Sequence, residues 1–425
     1  MIYEPDKECM GRDTLGALQL EALQAVLART YLHVPFYRKR FDASRIDPDE
    51  VRTLADLGLL PFTTREDLQA NYPYGLFAVP LREVVRIHAS TCMSVVVGYT
   101  RNDIKTWSDL MARVLVAGGV SKDDVVQIAF GYNLSTGGFG VHYGAERIGA
   151  SVIPTSTGNT RRQLKIMRDF KTTALVATPS YAALLGRTLR EQGTPLDALS
   201  LRVALLGGEP LSDGLRAEIQ ETLGVVATDN YGLSEVMGPG VAGECQERNG
   251  LHLNEDHFLV EVVDPVTLAP VAEGQTGELV LTTLSKEAFP VIRFRTRDLT
   301  RLLPGPCPCG RTTRRMARVE RRSDDILIVR GMKVDPRRVG DIFAEIEGHL
   351  PAHQILVERA GAMDSLTLLV GVEESSGFDE VKKQQERLER LRRGFSSELG
   401  LTVAVRLVEQ GSLDDSQRVV DRRKS

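Results

Sequence analysis

The sequence predicts an α/β chain: a large N-terminal domain of parallel sheets ending in a β lobe, then a small α+β C-terminal domain. Three observations carry this. The 425 residues exceed what a single core ordinarily fills. From about residue 84 short β-branched runs alternate with helical stretches, the order that gives parallel strands with helices on their faces. From about 255 to 303 strands follow one another directly, and from 324 onward strands surround one charged helix. The division is placed at 1–322 and 323–425.

In chain order, residues 14 to 42 set Leu15, Leu18, Leu20, Leu23, Val26 and Leu27 near the spacing of an amphipathic helix, which ends before Pro35. VVRIHAS, DVVQIAF, SVIP, ALVATP, LRVALLGG and VVATDNYG then read as strands of the parallel series, with helices over 103–118, 140–149 and 160–170 among them. The last two strands end in glycine-containing turns. Ligands of such sheets bind beyond the carboxyl ends of the strands, where these turns lie. HFLVEVVD, GELVLTTL and LTRLL, separated by Pro and Gly turns, make the antiparallel lobe. ILIV, HQILVER, LTLLVGV and VAVRLVE are strands of the C-terminal part, and KKQQERLERLRR, where acids and bases alternate, is the solvated face of its helix.

Composition narrows the function. Fifty-three basic against fifty-seven acidic residues leave a net charge of −4, so no excess of positive charge draws in nucleic acid or anionic lipid. The first residues hold three acids and no apolar run, and no apolar stretch of about eighteen residues occurs, so a cytoplasmic chain without a membrane partner is expected. Five cysteines, an odd number, point to thiols or metal ligands rather than a disulfide framework. Cys307 and Cys309 form a Cys-x-Cys, and Cys245 is followed by His252, so the four could meet around one zinc. With every ligand position filled by protein, such a zinc is structural. Cys9 and Cys92 stand alone.

Four segments together are specific: HVPFYRKRFD, YGLSEVMGPGVAGECQERNGLHLNEDHF, FPVIRFRTRDLTRLLPGPCPCGRTTRR and RRSDDILIVRG. Through them the chain resembles the phenylacetate-CoA ligase family of adenylate-forming acyl-CoA synthetases, from roughly Leu32 to Arg423. The resemblance implies the adenylate-forming fold with a mobile C-terminal domain. It also implies a two-step reaction in which a carboxylate attacks ATP to give an acyl-adenylate, and CoA then displaces AMP. By the same resemblance, Tyr231, Gly232 and Ser234 belong to the motif that holds adenine and substrate, with Glu235 near magnesium. Gly207, Gly208 and Glu209 match the loop along the adenine, Asp298 the acceptor for the ribose hydroxyls, and Asp324 the hinge. A carboxylate suits a vicinal diol or a hard cation better than a neutral side chain does. Cysteines recur at matching positions in this branch, which strengthens the zinc reading, and homodimers are common in it.

The sequence departs from the family at two places. The family's phosphate loop, rich in Ser, Thr and Gly and ending in Gly-Lys-Pro-Thr, runs between a HAS strand and a VVGYT strand. Both flanks stand here, but the shorter connection Thr91-Cys92-Met93-Ser94-Val95 holds no Gly and no Lys. A phosphate cradle needs consecutive N–H groups turned to one side and a cation to offset charge. Cys92 reads as a small packed residue. Secondly, the family's C-terminal Ser-Glu-Gly-Lys-Ala-like segment, whose Lys stabilises charge during adenylation, is replaced by Leu413 to Asp421, which contains no Lys. Losing one preorganised donor to a developing charge costs on the order of 10²- to 10³-fold in rate. Arg418 and Lys424 stand out of register as substitutes. Around the expected acyl pocket, Ser135 beside Gly137 replaces a frequent aromatic and Asn254 a frequent Trp, which implies a larger and more polar pocket.

Three functions follow. The leading one is an enzyme that kept the fold and an aryl or acyl-thioester pocket but lost adenylation. It would run an ATP-independent condensation, cyclisation or acyl transfer, with Glu235, Glu209, His142 and Tyr132 as acids and bases converging on the old site. The alternative is a functioning ATP-dependent aryl-carboxylate CoA ligase, supported by Tyr231, Glu235 and Asp298. The third is a non-catalytic protein that holds a small aromatic molecule or a partner. Zinc is expected in all three, whereas ATP, Mg and CoA stay open. His88 and His142 also read as hydrogen-bonded core histidines.

Overall fold

Runs such as Ala174–Ala177 and Val203–Gly207 are buried at every position, which requires a sheet covered on both faces. In the computed structural model they lie inside a nine-stranded sheet. The structure describes residues 1–90, 94–360, 363–372, 378–409, 412–413 and 418–424. It divides into two units, one of Met1–Pro179 with Thr188–Ser323 and one of Ser180–Arg187 with Asp324–Ser425. Among the described residues no helix is long and apolar enough to cross a membrane.

The strands of the first unit are β1 (Arg86–Ala89), β2 (Val96–Tyr99), β3 (Val125–Ile128), β4 (Ser151–Ile153), β5 (Ala174–Ala177), β6 (Val203–Gly207), β7 (Val226–Leu233), β8 (Gly238–Glu244), β9 (Leu251–Leu253), β10 (Phe258–Val263), β11 (Gly277–Thr283), β12 (Phe294–Thr300), β13 (Leu302–Leu303), β14 (Arg315–Met316) and β15 (Arg321–Arg322). The large sheet has the order β13-β14-β9-β8-β7-β6-β5-β3-β4. From β4 to β7 the pairs are parallel, and from β7 to β13 they are antiparallel. The β lobe is the antiparallel sheet β10-β11-β12-β15. VVRIHAS does not join the parallel series as the sequence suggests. β1 pairs antiparallel with β2 in a sheet of its own, because a few connecting residues cannot make the crossover that parallel neighbours need.

The N-terminal helical stretch is two helices rather than one. Arg12–His33 buries Leu15, Leu23, Val26 and Leu27, the chain is extended at Val34, and Pro35 opens the helix Pro35–Ser44 at its first position. The core of the unit turns on Trp107, on the helix Arg101–Ala117. Its ring is fully buried, stacks on Tyr99 with centroids 5.0 Å apart, and donates from Nε1 to Pro239 O at 2.8 Å. Asp103 on the same helix accepts from Thr100 N at 2.9 Å, Glu287 N at 2.7 Å and Ala288 N at 3.0 Å, and so fastens the turn after β11 to the helix.

The second unit holds β16 (Leu327–Val329), β17 (Met332–Val334), β18 (His353–Ala360), β19 (Met363–Val372), β20 (Val403–Glu409) and β21 (Val419–Asp421). Its main sheet has the order β20-β19-β18-β21, and the helices Pro336–Glu347 and Phe378–Leu399 pack through Phe343 and Phe395, with ring centroids 4.6 Å apart.

Packing around Trp107 is tight enough to test. A Cβ at Gly140 would come within 2.5 Å of the indole and 2.8 Å of Pro239. Gly140→Ala is expected to lower stability by roughly 1–3 kcal/mol, as overpacking does. Urea unfolding midpoints measure this, and an unchanged midpoint would mean that the indole yields.

Candidate active site and metal centre

Close backbone approach builds the carboxyl end of the large sheet. β6 ends at Gly207, where a Cβ would lie 2.8 Å from Asn230 O on β7, and Gly208 follows at φ +79°. Glycine alone meets both demands without strain, and the pair leads directly into half-buried Glu209. β7 shifts register between Tyr231 and Gly232, and a Cβ at Gly232 would lie 2.0 Å from Gly238 O. Such irregularities re-aim side chains. Here Tyr231 Oη donates to Asp298 Oδ2 at 2.6 Å, joining β7 to β12 in the other sheet. The second oxygen of Asp298 pairs with Arg322, its cross-strand neighbour on β15, and Arg322 also donates to Thr296 O at 3.0 Å. Burial, with the adjacent Asp298 carboxylate, pushes the Tyr231 hydroxyl well above its ordinary range, so it remains a neutral donor. A carboxylate offers about four acceptor positions, and these two partners leave capacity for a diol.

The turn after β7 continues the site. Ser234 Oγ lies 2.9 Å from Thr136 Oγ1, tying the turn to the start of the helix Gly137–Ile148, and Glu235 beside it is buried. On that helix His142 Nδ1 is 3.2 Å from Tyr132 Oη, and His142 Nε2 is 3.2 Å from Glu146 Oε1. Burial first, then Glu146, raises the Tyr132 hydroxyl above its ordinary range. Of the four predicted acids and bases, Tyr132 and His142 are bonded to each other, Glu209 follows β6 and Glu235 follows β7. Ser135 is half-buried, its N donating to Asn133 Oδ1 at 3.3 Å, and Gly137 abuts Phe130. Asn254 spends its polarity within the fold, donating to Gly240 O at 2.8 Å with its oxygen 3.5 Å from Arg113.

Thr91, Cys92 and Met93 lie outside the described residues, as do Asp414 to Gln417. The ends of the first connection are closed on themselves: Ser90 N donates to Val95 O at 2.8 Å and Val95 N to Ser90 Oγ at 3.0 Å. Arg418 lies 3.3 Å from His353 Nε2, and Asp324 Oδ1 accepts from Ile326 N at 3.4 Å, both within the second unit.

The antiparallel half of the large sheet gathers the cysteines. Cys245 follows β8, His252 sits on β9 opposite Gly243 of β8 and Arg315 of β14, and Cys307 and Cys309 lie between β13 and β14. The four ligand atoms all fall within 4.8 Å of one another. Cys245 Sγ is 3.7 Å from Cys307 Sγ, and Cys309 Sγ is 3.4 Å from His252 Nε2. Zn–S bonds of about 2.3 Å give tetrahedral S···S edges of about 3.8 Å, so the donor set fits a zinc ion. Thr313 Oγ1, 3.2 Å from His252 Nδ1, turns the other ring nitrogen towards the cluster. Desolvation, with Arg311 and Arg315, pushes the His252 pKa down to about 3, which keeps the ring in its metal-binding neutral form.

Comparison with known proteins bears on this geometry. Residues 135–285 match the AMP-binding enzyme family and 331–423 the AMP-binding enzyme C-terminal domain. The chain is 47% identical to a phenylacetate-coenzyme A ligase of Escherichia coli, over 95% of this chain and 93% of that protein. It is 44% identical to one from Thermus thermophilus over the whole of both. The chain belongs to the phenylacetate-CoA ligase family. Its fold is that of the adenylate-forming superfamily: a crystal structure of 2-hydroxyisobutyryl-CoA ligase, in complex with 2-HIB-AMP and CoA, superposes with a TM-score of 0.91 at 27% identity, covering 99% of this chain and 92% of that one.

Sequence reading did not find Arg322, Glu146, Arg86 or Lys286. Glu146 is four residues from His142 on one helix, a spacing that brings side chains together. Lys286 sits in LVLTTLSKEAFPVI between Ser285 and Glu287. It is 1% exposed, with Nζ 3.0 Å from the Tyr99 ring centroid and 3.9 Å from Met237 Sδ. Burial pushes its pKa from 10.5 down to about 7, with Asp103 opposing. Since the unfolded chain then holds a proton that the native state has released, stability rises with pH between those two values. Unfolding free energies of the wild type relative to Lys286→Met, from urea titrations, are therefore expected to climb from about pH 7 towards pH 10, by at most about 1.4 kcal/mol per unit. A flat difference would contradict the shift.

Proposed function

We propose that this protein is an ATP-dependent acid–CoA ligase acting on an aryl or arylacetic acid. The observation that carries this reading is the Asp298 carboxylate, held between Tyr231 and Arg322 next to the Tyr231–Glu235 turn. A buried, doubly anchored carboxylate with acceptor capacity left suits the ribose diol of a nucleotide. In the proposed reaction the acid's carboxylate attacks the α-phosphorus of ATP and pyrophosphate leaves. The CoA thiolate then attacks the acyl carbon and AMP leaves. Asp298 orients the ribose, the Gly207–Glu209 turn lies along the base, and Glu235 is the residue to hold magnesium, which neutralises phosphate charge. Asp324, which follows Ser323 where the chain passes from the first unit into the second, is the proposed hinge.

Near-full-length relatives named as phenylacetate-coenzyme A ligases support this reading better than loss of adenylation, which the sequence alone favours. One observation keeps the ATP-independent reading as a second: neither Thr91–Val95 nor Leu413–Asp421 contains a lysine. Cys245, His252, Cys307 and Cys309 are proposed to hold a structural zinc.

ATP–pyrophosphate exchange across a panel of aryl and arylacetic acids is expected to exceed background for at least one acid, and Asp298→Ala to raise the KM for ATP at least tenfold. A folded protein that exchanges with none of them would move the search to ATP-independent chemistry on aryl thioesters. Elemental analysis is expected to find about one zinc per chain, and Cys309→Ser to lose it with a lowered melting temperature. Zinc-free wild-type protein of unchanged melting temperature would refute the metal centre.

A further inference from the structure

Three basic side chains of the first unit, buried His88 and Lys286 and half-buried Arg86, are linked through shared aromatic rings, with no acid partner among the described residues. Arg86 and His88 are two apart on β1 and so point to one face of it. Both adjoin the Phe139 ring, Arg86 Cζ at 5.0 Å from its centroid and the His88 ring at 5.6 Å. His88 also meets Tyr99 edge-on at 5.5 Å, and Lys286 Nζ lies 3.0 Å from that same ring's centroid. Asp103, whose charge reaches Lys286, is already bonded to three backbone N–H groups.

Two atoms of the cluster are orphans. Among the described residues, Arg86 Nη1 is a buried donor without a partner, and His88 Nε2 is a buried acceptor without one, since Nδ1 donates to Leu134 O at 3.0 Å. His88 is 2% exposed and Lys286 1%. Unpaired charge and unsatisfied polar atoms in an interior are costly, and an apolar replacement of similar shape relieves the cost. Their position gives them a use. Met237, which touches Lys286 through its sulfur and accepts from Tyr99 Oη at 2.6 Å through its carbonyl, stands two residues after Glu235. The cluster therefore backs the turn that carries the candidate active site, and β1 leads from it into the connection Thr91–Val95.

We propose that Arg86, His88 and Lys286 form an oxyanion-holding cluster, which takes the carboxylate of the acid substrate or a phosphate group of the nucleotide. This deepens the ligase reading and rests on it. Arg86 Nη1 donates to the oxyanion directly, and His88 Nε2 becomes a second donor on taking a proton, which an arriving negative charge favours. Lys286, in its protonated form, adds positive potential from beside Tyr99.

Calorimetric titration of the full chain at constant ionic strength tests this, with phenylacetate alone in one arm and inorganic pyrophosphate alone in the other. The variants are His88→Asn, which keeps an amide near Leu134 O but deletes Nε2, and Lys286→Met, which keeps the length and removes the charge. Circular dichroism verifies folding, and Arg86→Gln takes the place of either variant that does not fold. One oxyanion is expected to bind the wild type at least tenfold more tightly than the variants, and the arm that shows the loss tells carboxylate from phosphate. Equal binding by all forms, or none by the wild type, would overturn the cluster. ATP–pyrophosphate exchange on the same samples separates the two claims. Exchange retained in both variants sinks the cluster and leaves the ligase reading. Absent exchange in the wild type sinks the ligase reading, while the titrations still decide the cluster.

Discussion

β7 pairs parallel with β6 on one edge and antiparallel with β8 on the other, and the placement of the candidate site depends on that reversal. Parallel pairing brings the ends of β6 and β7 out on one side, so the glycine turn before Glu209 and the turn before Glu235 neighbour each other. Antiparallel pairing with β8 needs only a short turn, and the register shift at Tyr231–Gly232 absorbs its geometry. The same reversal lets β9, β14 and β13 add on, and with them the Cys/His quartet. One change of strand direction thus sets out both the candidate nucleotide pocket and the candidate metal centre.

Charge is buried in two contrasting ways. Arg113 grips Asp256 with two bonds of 2.8 and 2.9 Å, and Arg216 reaches both oxygens of Glu244 at 2.9 and 2.8 Å. Removing one partner of such a pair strands the other and is strongly destabilising. Lys286 has no such counterpart among the described residues: burial lowers its pKa to about 7, and the face of Tyr99 beside it, which attracts the charged form, offsets that cost only in part. The paired charges hold elements together. The unpaired one is the charge assigned to the proposed oxyanion cluster.

The strands, the helices and the Cys/His quartet were legible because each leaves a local trace: β-branched runs, apolar periodicity, cysteine spacing. Tyr231 and Asp298 were legible through the motifs around them, but their hydrogen bond was not, since it joins two sheets across 67 residues. Arg322 was missed for the same reason: its bond to Asp298 is a consequence of β12–β15 register, which nothing local encodes. The VVRIHAS strand was seen and its partner misassigned, because period and composition report a strand without reporting what it pairs with. Lys286, flanked by Ser285 and Glu287, carries little local signal of its burial, and its environment emerges only when Tyr99 and Met237 arrive from elsewhere.

The two outer strands of the large sheet, β13 and β4, are 2 and 3 residues long. A sheet is extended by another molecule through the row of unpaired amides and carbonyls on its margin, and so short a margin presents almost none. The large sheet accordingly offers, among the described residues, almost no template for continuation into a second copy. The apolar strands in the middle of that sheet are thereby shielded from the edge-to-edge stacking that seeds fibrils.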